Sequence, residues 1–167
     1  MMRTHSSPDV FEAKLEAEGI KYYFAKEVKV VTTPLRTYKK VKPLIPPYIF
    51  VYGSYLDISN FKQHYDIISF IPVRSNGTHT TMKVSDKEMD DFIRVVERDF
   101  GQVRIFKANE IELAEGQRVR ITGGDLDGVE GMLTREKGKR DKRLYVRVEG
   151  FLVASTPVEK IFVQLLD

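Results

Sequence analysis

The segment 36–42, RTYKKVK, places four cations within seven residues without an acidic residue between them. Lysine and arginine at this density can contact nucleic-acid phosphates, and an aromatic ring among them can stack on a base. A solvated hairpin tip is the competing interpretation, and the sequence leaves both open. The candidate nucleic-acid contacts are Arg36, Tyr38, Lys39, Lys40 and Lys42.

Two aromatic residues, Tyr48 and Phe50, stand two positions apart. In a strand, this spacing points both rings to the same face of the sheet. That face is either core beneath a helix or an apolar docking surface, since tyrosine combines a rigid apolar ring with a polar tip. Phe70 is a weaker candidate for the same surface.

The residue types that usually carry catalysis are absent or scattered. The chain has no cysteine, and the spacing of His5, His64 and His79 is unlike that of a metal site. Gly123 and Gly124 are not followed by the Lys-Ser/Thr of a phosphate-binding loop. We therefore expect a protein without catalytic activity, cofactor or metal.

Length and charge limit the organisation of the chain. A chain of 167 residues can form one medium domain or two small ones. Residues 1–108 carry 17 cations and 13 acids, whereas residues 109–167 carry 10 and 11, so the basic character is local. The chain contains no apolar stretch of spanning length and its start is polar, which favours a cytoplasmic protein without membrane contact.

The first half of the sequence predicts two helices and a long hairpin. Ser7 and Pro8 favour a helix start, and the helix should run from 8 to 18, before Gly19. Residues 20–31 and 41–52 are rich in β-branched and aromatic residues, so they predict two strands joined by a basic tip. A short helix or turn is expected at 57–64.

Further signals predict the elements of the middle of the chain. Residues 67–73 and 78–84 read as strands around the Ser-Asn-Gly turn at 75–77. Ser85 and Glu88 form the pattern of a capping box, which predicts a helix ending at Gly101. The segment 102–112 is the candidate linker region.

The third set of elements lies in the last third of the chain. Arg118 to Ile121 alternates polar and apolar residues, and Gly123, Gly124, Gly128 and Gly131 follow at short intervals. Further strands are predicted at 144–149, 151–154 and 161–165. Segment 115–136 resembles the KOW motif of small SH3-like barrels, which occurs in NusG-family transcription factors and several ribosomal proteins.

A second motif narrows this resemblance. The segment 43–51, PLIPPYIFV, is similar to the proline-aromatic strand of the NusG N-terminal domain, with Ile45 and Pro47 where the family usually has Phe and Gly. Both motifs occur in the family's order, about seventy residues apart. That family begins with a full strand, whereas only Met1 to His5 precede the first helix here. On these two motifs together, the chain resembles members of the NusG family.

The resemblance implies an α+β fold, with an antiparallel sheet and two helices followed by a small SH3-like β-barrel. The expected domains are 1–107 (NusG N-terminal-like), a linker at 108–112, and 113–167 (KOW barrel). The implied function is binding to RNA polymerase to favour processive transcription, and the motif departures suggest an operon-restricted antiterminator of the kind found beside surface-polysaccharide genes.

The resemblance also assigns partners to residues. The RNA polymerase clamp helices would contact Tyr48, Phe50, Phe70 and Pro46, while the basic tip would reach non-template DNA or nascent RNA. A ribosomal protein or termination factor would contact the KOW loop at Leu126, Arg135 and Lys137. Two alternatives stay open: an RNA-binding or ribosome-associated KOW protein, and an enzyme with an unrecognised site.

Overall fold

A computed structural model of the chain describes residues 1–75, 77–98, 102–148, 151–157 and 163–166. Helices α1, α2 and α3 span Pro8–Ala17, Tyr55–His64 and Asp86–Arg98. Strands β1 to β5 span Met2–Thr4, Lys21–Tyr23, Lys26–Thr32, Thr37–Pro43 and Tyr48–Tyr52. Strands β6 to β9 span Ile68–Phe70, Pro72–Ser75, Thr78–Thr81 and Arg104–Lys107. Strands β10 to β14 span Gln117–Ile121, Glu130–Thr134, Arg143–Val148, Leu152–Pro157 and Val163–Leu165.

The chain divides into two compact units, Met1–Lys83 and Val84–Asp167. The domain boundary predicted from the sequence, a linker at 108–112, lies further along the chain. Helix α3 packs on β12 and β13, and β9 pairs with β13, so both elements group with the C-terminal strands. With three helices and antiparallel sheets among the described residues, the fold is α+β.

The first unit is built on a four-stranded antiparallel sheet in the order β2-β5-β1-β6. Strand β1 lies between β5 and β6, with Met2 opposite both Ile49 and Phe70. Phe11 and Leu15 of α1 and Ile58 and Phe61 of α2 are buried in one cluster with Met2, Ile49 and Ile68. Both helices therefore cover the same face of this sheet.

The two helices of the first unit begin differently. Ser7 occupies the N-cap of α1 in extended conformation but makes no side-chain cap, and Pro8 follows at the first helical position. In α2, the side chain of Ser54 accepts a hydrogen bond from the backbone N–H of Asp57 at 3.1 Å. This cap places the start of α2 two residues before the predicted segment.

Two hairpins complete the first unit. The predicted long hairpin is confirmed in part, since β3 pairs with β4, with Val28 opposite Val41 and Val30 opposite Lys39. The predicted strands 20–31 and 41–52 are each divided in two, and β4 occupies much of the segment expected to be the basic tip. The predicted strand at 67–73 is divided into β6, which joins the four-stranded sheet, and β7, which pairs with β8. Gly77 has a φ of 79°, as the predicted turn requires, while Asn76 lies outside the described residues.

The second unit contains a six-stranded antiparallel sheet in the order β14-β10-β11-β12-β13-β9. Its glycine-rich turn is confirmed, since Gly123, Gly124 and Gly128 have φ values of 103°, 69° and 79°. The capping box of α3 is also confirmed, because the backbone N–H of Glu88 donates to Ser85 Oγ at 3.3 Å and the backbone N–H of Ser85 donates to Glu88 Oε2 at 3.2 Å. The predicted helix end at Gly101 and residues 149, 161 and 162 of predicted strands lie outside the described residues.

None of the helices in the described part of the chain has the length and apolar character needed to span a membrane.

Candidate functional site

The four-stranded sheet has an aromatic face on the side opposite its helices. Ile49 points into the helix-covered core, so the alternating residues Tyr48, Phe50 and Tyr52 point the other way. Tyr23 is the cross-strand partner of Phe50 and joins them, with ring centroids 6.4 Å apart. We call these four residues the tyrosine face.

The exposure of the tyrosine face is uneven. Phe50 is only 5% exposed, Tyr48 is half-buried, and Tyr52 is 62% exposed. Phe50 therefore points to this face but is covered there by neighbouring groups, Tyr23 among them, and its ring is not accessible to a partner in this structure. The two tyrosines at either end of β5 offer the accessible aromatic area.

Two other predicted polymerase contacts are placed apart from this face. Phe70 pairs with Met2 in register and packs against the helix-covered core, so it lies on the opposite side of the sheet from Phe50. Its ring stacks on Tyr55 of α2, with centroids 5.3 Å apart. The expectation that Phe70 shares a surface with Tyr48 is thus wrong. Pro46 is exposed just before β5, as a contact residue would be.

Three residues of the tyrosine face and its margin were not predicted from the sequence. Tyr52 continues the same two-residue alternation as Tyr48 and Phe50, so this spacing alone could have identified it. Tyr23 could not be assigned to this face from the sequence, because β2 ends at Tyr23. Its face is fixed by the register between β2 and β5. Lys21 places its ammonium 5.4 Å from the Tyr52 ring centroid, which gives the surface a cationic edge.

The predicted nucleic-acid contacts lie on the β3–β4 hairpin, which we call the basic arm (residues 26–43). All five predicted side chains are exposed, and the guanidinium carbon of Arg36 lies 4.9 Å from the Tyr38 ring centroid. The tip is closed by Thr33, whose hydroxyl and backbone N–H both donate to the Arg36 carbonyl at 2.9 Å. The arm is thus an ordered two-stranded ribbon.

The cations of the basic arm fall into two groups, those with an ion-pair partner and those without one. Lys26 is bound to Glu12 at 2.6 Å and Lys29 to Glu27 at 2.9 Å. Lys39, Lys40 and Lys42 have no acidic partner within 4.0 Å among the residues that the structure describes. The charges available to an anionic ligand are therefore those of β4 and the tip.

The three residues predicted to contact a ribosomal protein or termination factor differ from one another. Leu126 is only 2% exposed and fills the interior of the second unit, so its side chain is not presented to a partner. Lys137 is exposed but bound to Glu112 at 2.6 Å. Arg135 is exposed on the strand end beside them. Arg135 is therefore the cation among these residues that is exposed and has no ion pair within the described part of the chain.

Two cationic side chains of α3 bind backbone carbonyl groups of the glycine-rich turn at 123–128. The Arg94 guanidinium donates to the carbonyls of Asp125 and Asp127, at 2.9 and 2.5 Å. The Lys87 ammonium donates to the Gly128 carbonyl at 3.0 Å and to the carboxylate of Asp91. The loop carbonyls are thus already occupied by side chains of this unit.

Three carboxyl groups of the second unit have pKa values below their ordinary range. A side-chain hydrogen bond from Arg120 lowers the pKa of Glu130, and one from Lys139 lowers the pKa of Glu136. The backbone N–H of Lys107 lowers the pKa of Glu110. A general acid working near neutral pH needs a raised pKa, so these ion-paired groups give no support to an enzymatic interpretation.

In comparisons with known proteins, no protein-family model, curated protein or solved structure matches this chain.

Proposed function

We propose that this chain is a non-catalytic, cytoplasmic transcription elongation or antitermination factor of the NusG type that binds RNA polymerase. The support is the motif pair in the sequence together with a compatible architecture. Two helices cover one face of an antiparallel sheet, and an all-antiparallel sheet with a glycine-rich turn follows. In this proposal the first unit docks on polymerase and the second unit contains the KOW barrel.

The observation that carries the proposal is the tyrosine face. A sheet face opposite the helices presents Tyr52 at 62% exposure at one end of β5 and the half-buried Tyr48 at the other, with Lys21 beside Tyr52. Tyrosine supplies large, rigid contact area at interfaces, and removal of such an anchor commonly costs more than about 1 kcal/mol of binding free energy. Helices of another protein, such as the polymerase clamp helices, fit such a surface.

The mechanism follows from differential binding. A factor that contacts both sides of the polymerase channel binds the closed, transcribing state better than an opened, paused state. It then shifts the population toward the closed state by its difference in affinity alone. The tyrosine face would supply the salt-insensitive anchor, and the basic arm would add a salt-sensitive contact to nucleic acid.

A purified binding assay tests this proposal. The double variant Tyr48→Ala plus Tyr52→Ala should weaken binding to purified RNA polymerase at least tenfold, because both accessible rings are lost. Leu56→Ala is the matched control, since Leu56 is 67% exposed on α2, the helix that covers the other face. Both variants should keep the melting temperature of the parent chain.

Two outcomes would contradict the proposal. One is a parent chain that does not bind polymerase at micromolar concentration, and the other is equal loss of affinity in the tyrosine variant and the Leu56 control. If binding is confirmed, a transcription assay on a pausing template should show shorter pauses with the parent chain than with the tyrosine variant.

The alternative is an RNA-binding or ribosome-associated KOW protein that works through the cations at 135–143. Three of these six cations already make contacts within the chain. Lys137 is ion-paired with Glu112, Lys139 is ion-paired with Glu136, and Arg143 donates a hydrogen bond to Ser155. Fewer charges are then available for phosphates, so this alternative has less support than polymerase binding. Recovery of ribosomal RNA or subunits, with no polymerase, would favour it.

A further inference from the structure

The basic arm is a ribbon with two chemically different faces. Val28, Val30 and Val41 lie on one face and are 57%, 64% and 56% exposed. Lys39 lies opposite Val30 on that same face. The other face carries Glu27, Lys29, Val31, Tyr38, Lys40 and Lys42. We call the first the valine face.

Both faces of the ribbon lack a covering element within the described residues. The arm forms a two-stranded sheet of its own, and a hydrogen bond of 2.8 Å from the Leu44 N–H to the Ala25 carbonyl closes its base. Seven residues in each strand give a ribbon roughly 24 Å long. Exposed valines along such a length indicate a binding surface, since solvent contact is unfavourable for them.

The net positive charge of the basic arm indicates which kind of partner it binds. Residues 26–43 contain six cations and one acid, so two arms of two copies would repel each other. An anionic partner fits the arm, because the unpaired Lys39 lies on the valine face and the unpaired Lys40 and Lys42 lie on the other face of the same ribbon. The partner must also offer apolar groups between its charges, since the valine face would otherwise be desolvated against polar groups alone.

Among nucleic acids, B-form duplex DNA meets these conditions. Its major groove is about 12 Å wide and admits a two-stranded β-ribbon, and thymine methyl groups are the apolar groups that it displays. The major groove of A-form RNA is too narrow and deep for side chains to read. Single strands are held by several stacking rings, whereas the arm has Tyr38, whose ring already lies under Arg36.

We propose that the basic arm enters the major groove of B-form DNA with its valine face toward the base edges, where the valines contact thymine methyl groups. Glu27 lies on the opposite face, so its carboxylate would be directed away from the base edges. Lys40 and Lys42 would reach the phosphates along the groove walls. This inference rests on the proposed nucleic-acid contact of the arm and does not require polymerase.

Fluorescence anisotropy of the full chain, without polymerase and at low salt, tests the proposal directly. The probes are an A·T-rich DNA duplex, the same duplex with deoxyuridine in place of thymidine, its single strand, and an RNA duplex of the same sequence. Deoxyuridine removes only the methyl group, so each lost valine contact should weaken binding about fourfold. The RNA duplex and the single strand should bind at least tenfold more weakly than the thymidine duplex.

Variants separate the two faces. Val28→Ser plus Val30→Ser should abolish the difference between the thymidine and deoxyuridine duplexes, while Val31→Ser on the other face should preserve it. Lys40→Gln should weaken both duplexes equally and reduce the salt slope by about 0.9. The Lys40 variant keeps all three valines, so it tests the arm even where the serine variants disturb the ribbon.

Several results would overturn the proposal. Equal affinity for thymidine and deoxyuridine duplexes would exclude methyl contacts, and tighter binding to the single strand or to RNA would identify a different nucleic-acid ligand. No binding to any probe at low salt would show that the arm contacts a protein or solvent. All these results concern DNA alone, so they are distinguishable from a failure of polymerase binding by the tyrosine face.

Discussion

The carboxylate of Asp91 accepts a hydrogen bond from the backbone N–H of Glu130 at 3.2 Å, just beyond the point where β11 stops pairing with β12. The ladder between these strands ends at Met132 and Tyr145. Asp91 is only 4% exposed and also binds the Lys87 ammonium. Helix α3 thus supplies the acceptor that a neighbouring strand would provide.

Loss of this carboxylate should destabilise the second unit. Asp91→Ala leaves the Glu130 N–H without its acceptor and removes the partner of Lys87, so we expect a loss of roughly 2–4 kcal/mol in the free energy of unfolding. Urea denaturation of the full chain measures it. Asp90→Ala, at the exposed neighbouring position, should change stability by less than about 0.5 kcal/mol. Similar losses in both variants would contradict the assigned role of Asp91.

The uneven tyrosine face predicts opposite outcomes for two of its members. Phe50→Ala should cost about 3–5 kcal/mol of stability, because it removes a buried ring. Tyr52→Ala should cost less than about 1 kcal/mol, since Tyr52 is 62% exposed. Thermal melting of the two variants distinguishes them. If Phe50→Ala leaves the melting temperature unchanged, the ring is not packed as the structure shows.

Gly131 marks a close approach of two strands. A Cβ at this position would lie 2.6 Å from the Tyr145 carbonyl oxygen and 3.0 Å from a Leu144 methyl carbon. Gly131→Ala should therefore cost about 1–3 kcal/mol of stability through overpacking. Gly138→Ala is the control, because its Cβ would meet no atom within 4 Å and only its φ of 84° is unfavourable. Chemical denaturation should rank Gly131→Ala as the more destabilising change.

The lowered pKa of Glu130 predicts a stability change in acid. The folded chain holds this carboxyl group ionised beside Arg120, so as the pH falls the unfolded chain binds the proton first. The stabilisation is complete above the unfolded pKa, near 4.3, and is lost as the pH falls through the lower folded pKa. Glu130→Gln should flatten the stability curve below about pH 4.5. Parallel curves for the parent and variant, measured by urea denaturation from pH 3 to 6, would refute this assignment.

Local sequence signals identified much of the fold. Pro8 and the apolar spacing of Phe11 and Leu15 placed α1, and the Ser85–Glu88 capping box placed α3. Although β4 was expected to be a polar connection, since lysine is uncommon in strands, strand composition and alternation predicted β3 and β12. These are features in which the physical cause lies within a few residues of its effect.

The surfaces were harder to predict, because they depend on register between distant strands. Alternation grouped Tyr48 with Phe50, but the pairing of β1 with β6 decided that Phe70 points to the helices instead. A spacing rule also cannot tell which face is covered, so the sequence left open whether Phe50 is buried or exposed. Leu126 was assigned to a partner contact by the resemblance to KOW barrels, although its side chain turns inward.

The pairing of β9 with β13 has a practical consequence for dividing the chain. A cut after residue 107 would remove the strand that protects one side of β13 and the helix that packs on it, leaving open backbone donors and acceptors that invite edge-to-edge aggregation. A cut after Lys83 keeps each hydrophobic interior whole. Fragments prepared at the second position are therefore the ones suited to separate biochemical study of the tyrosine face and the glycine-rich loop.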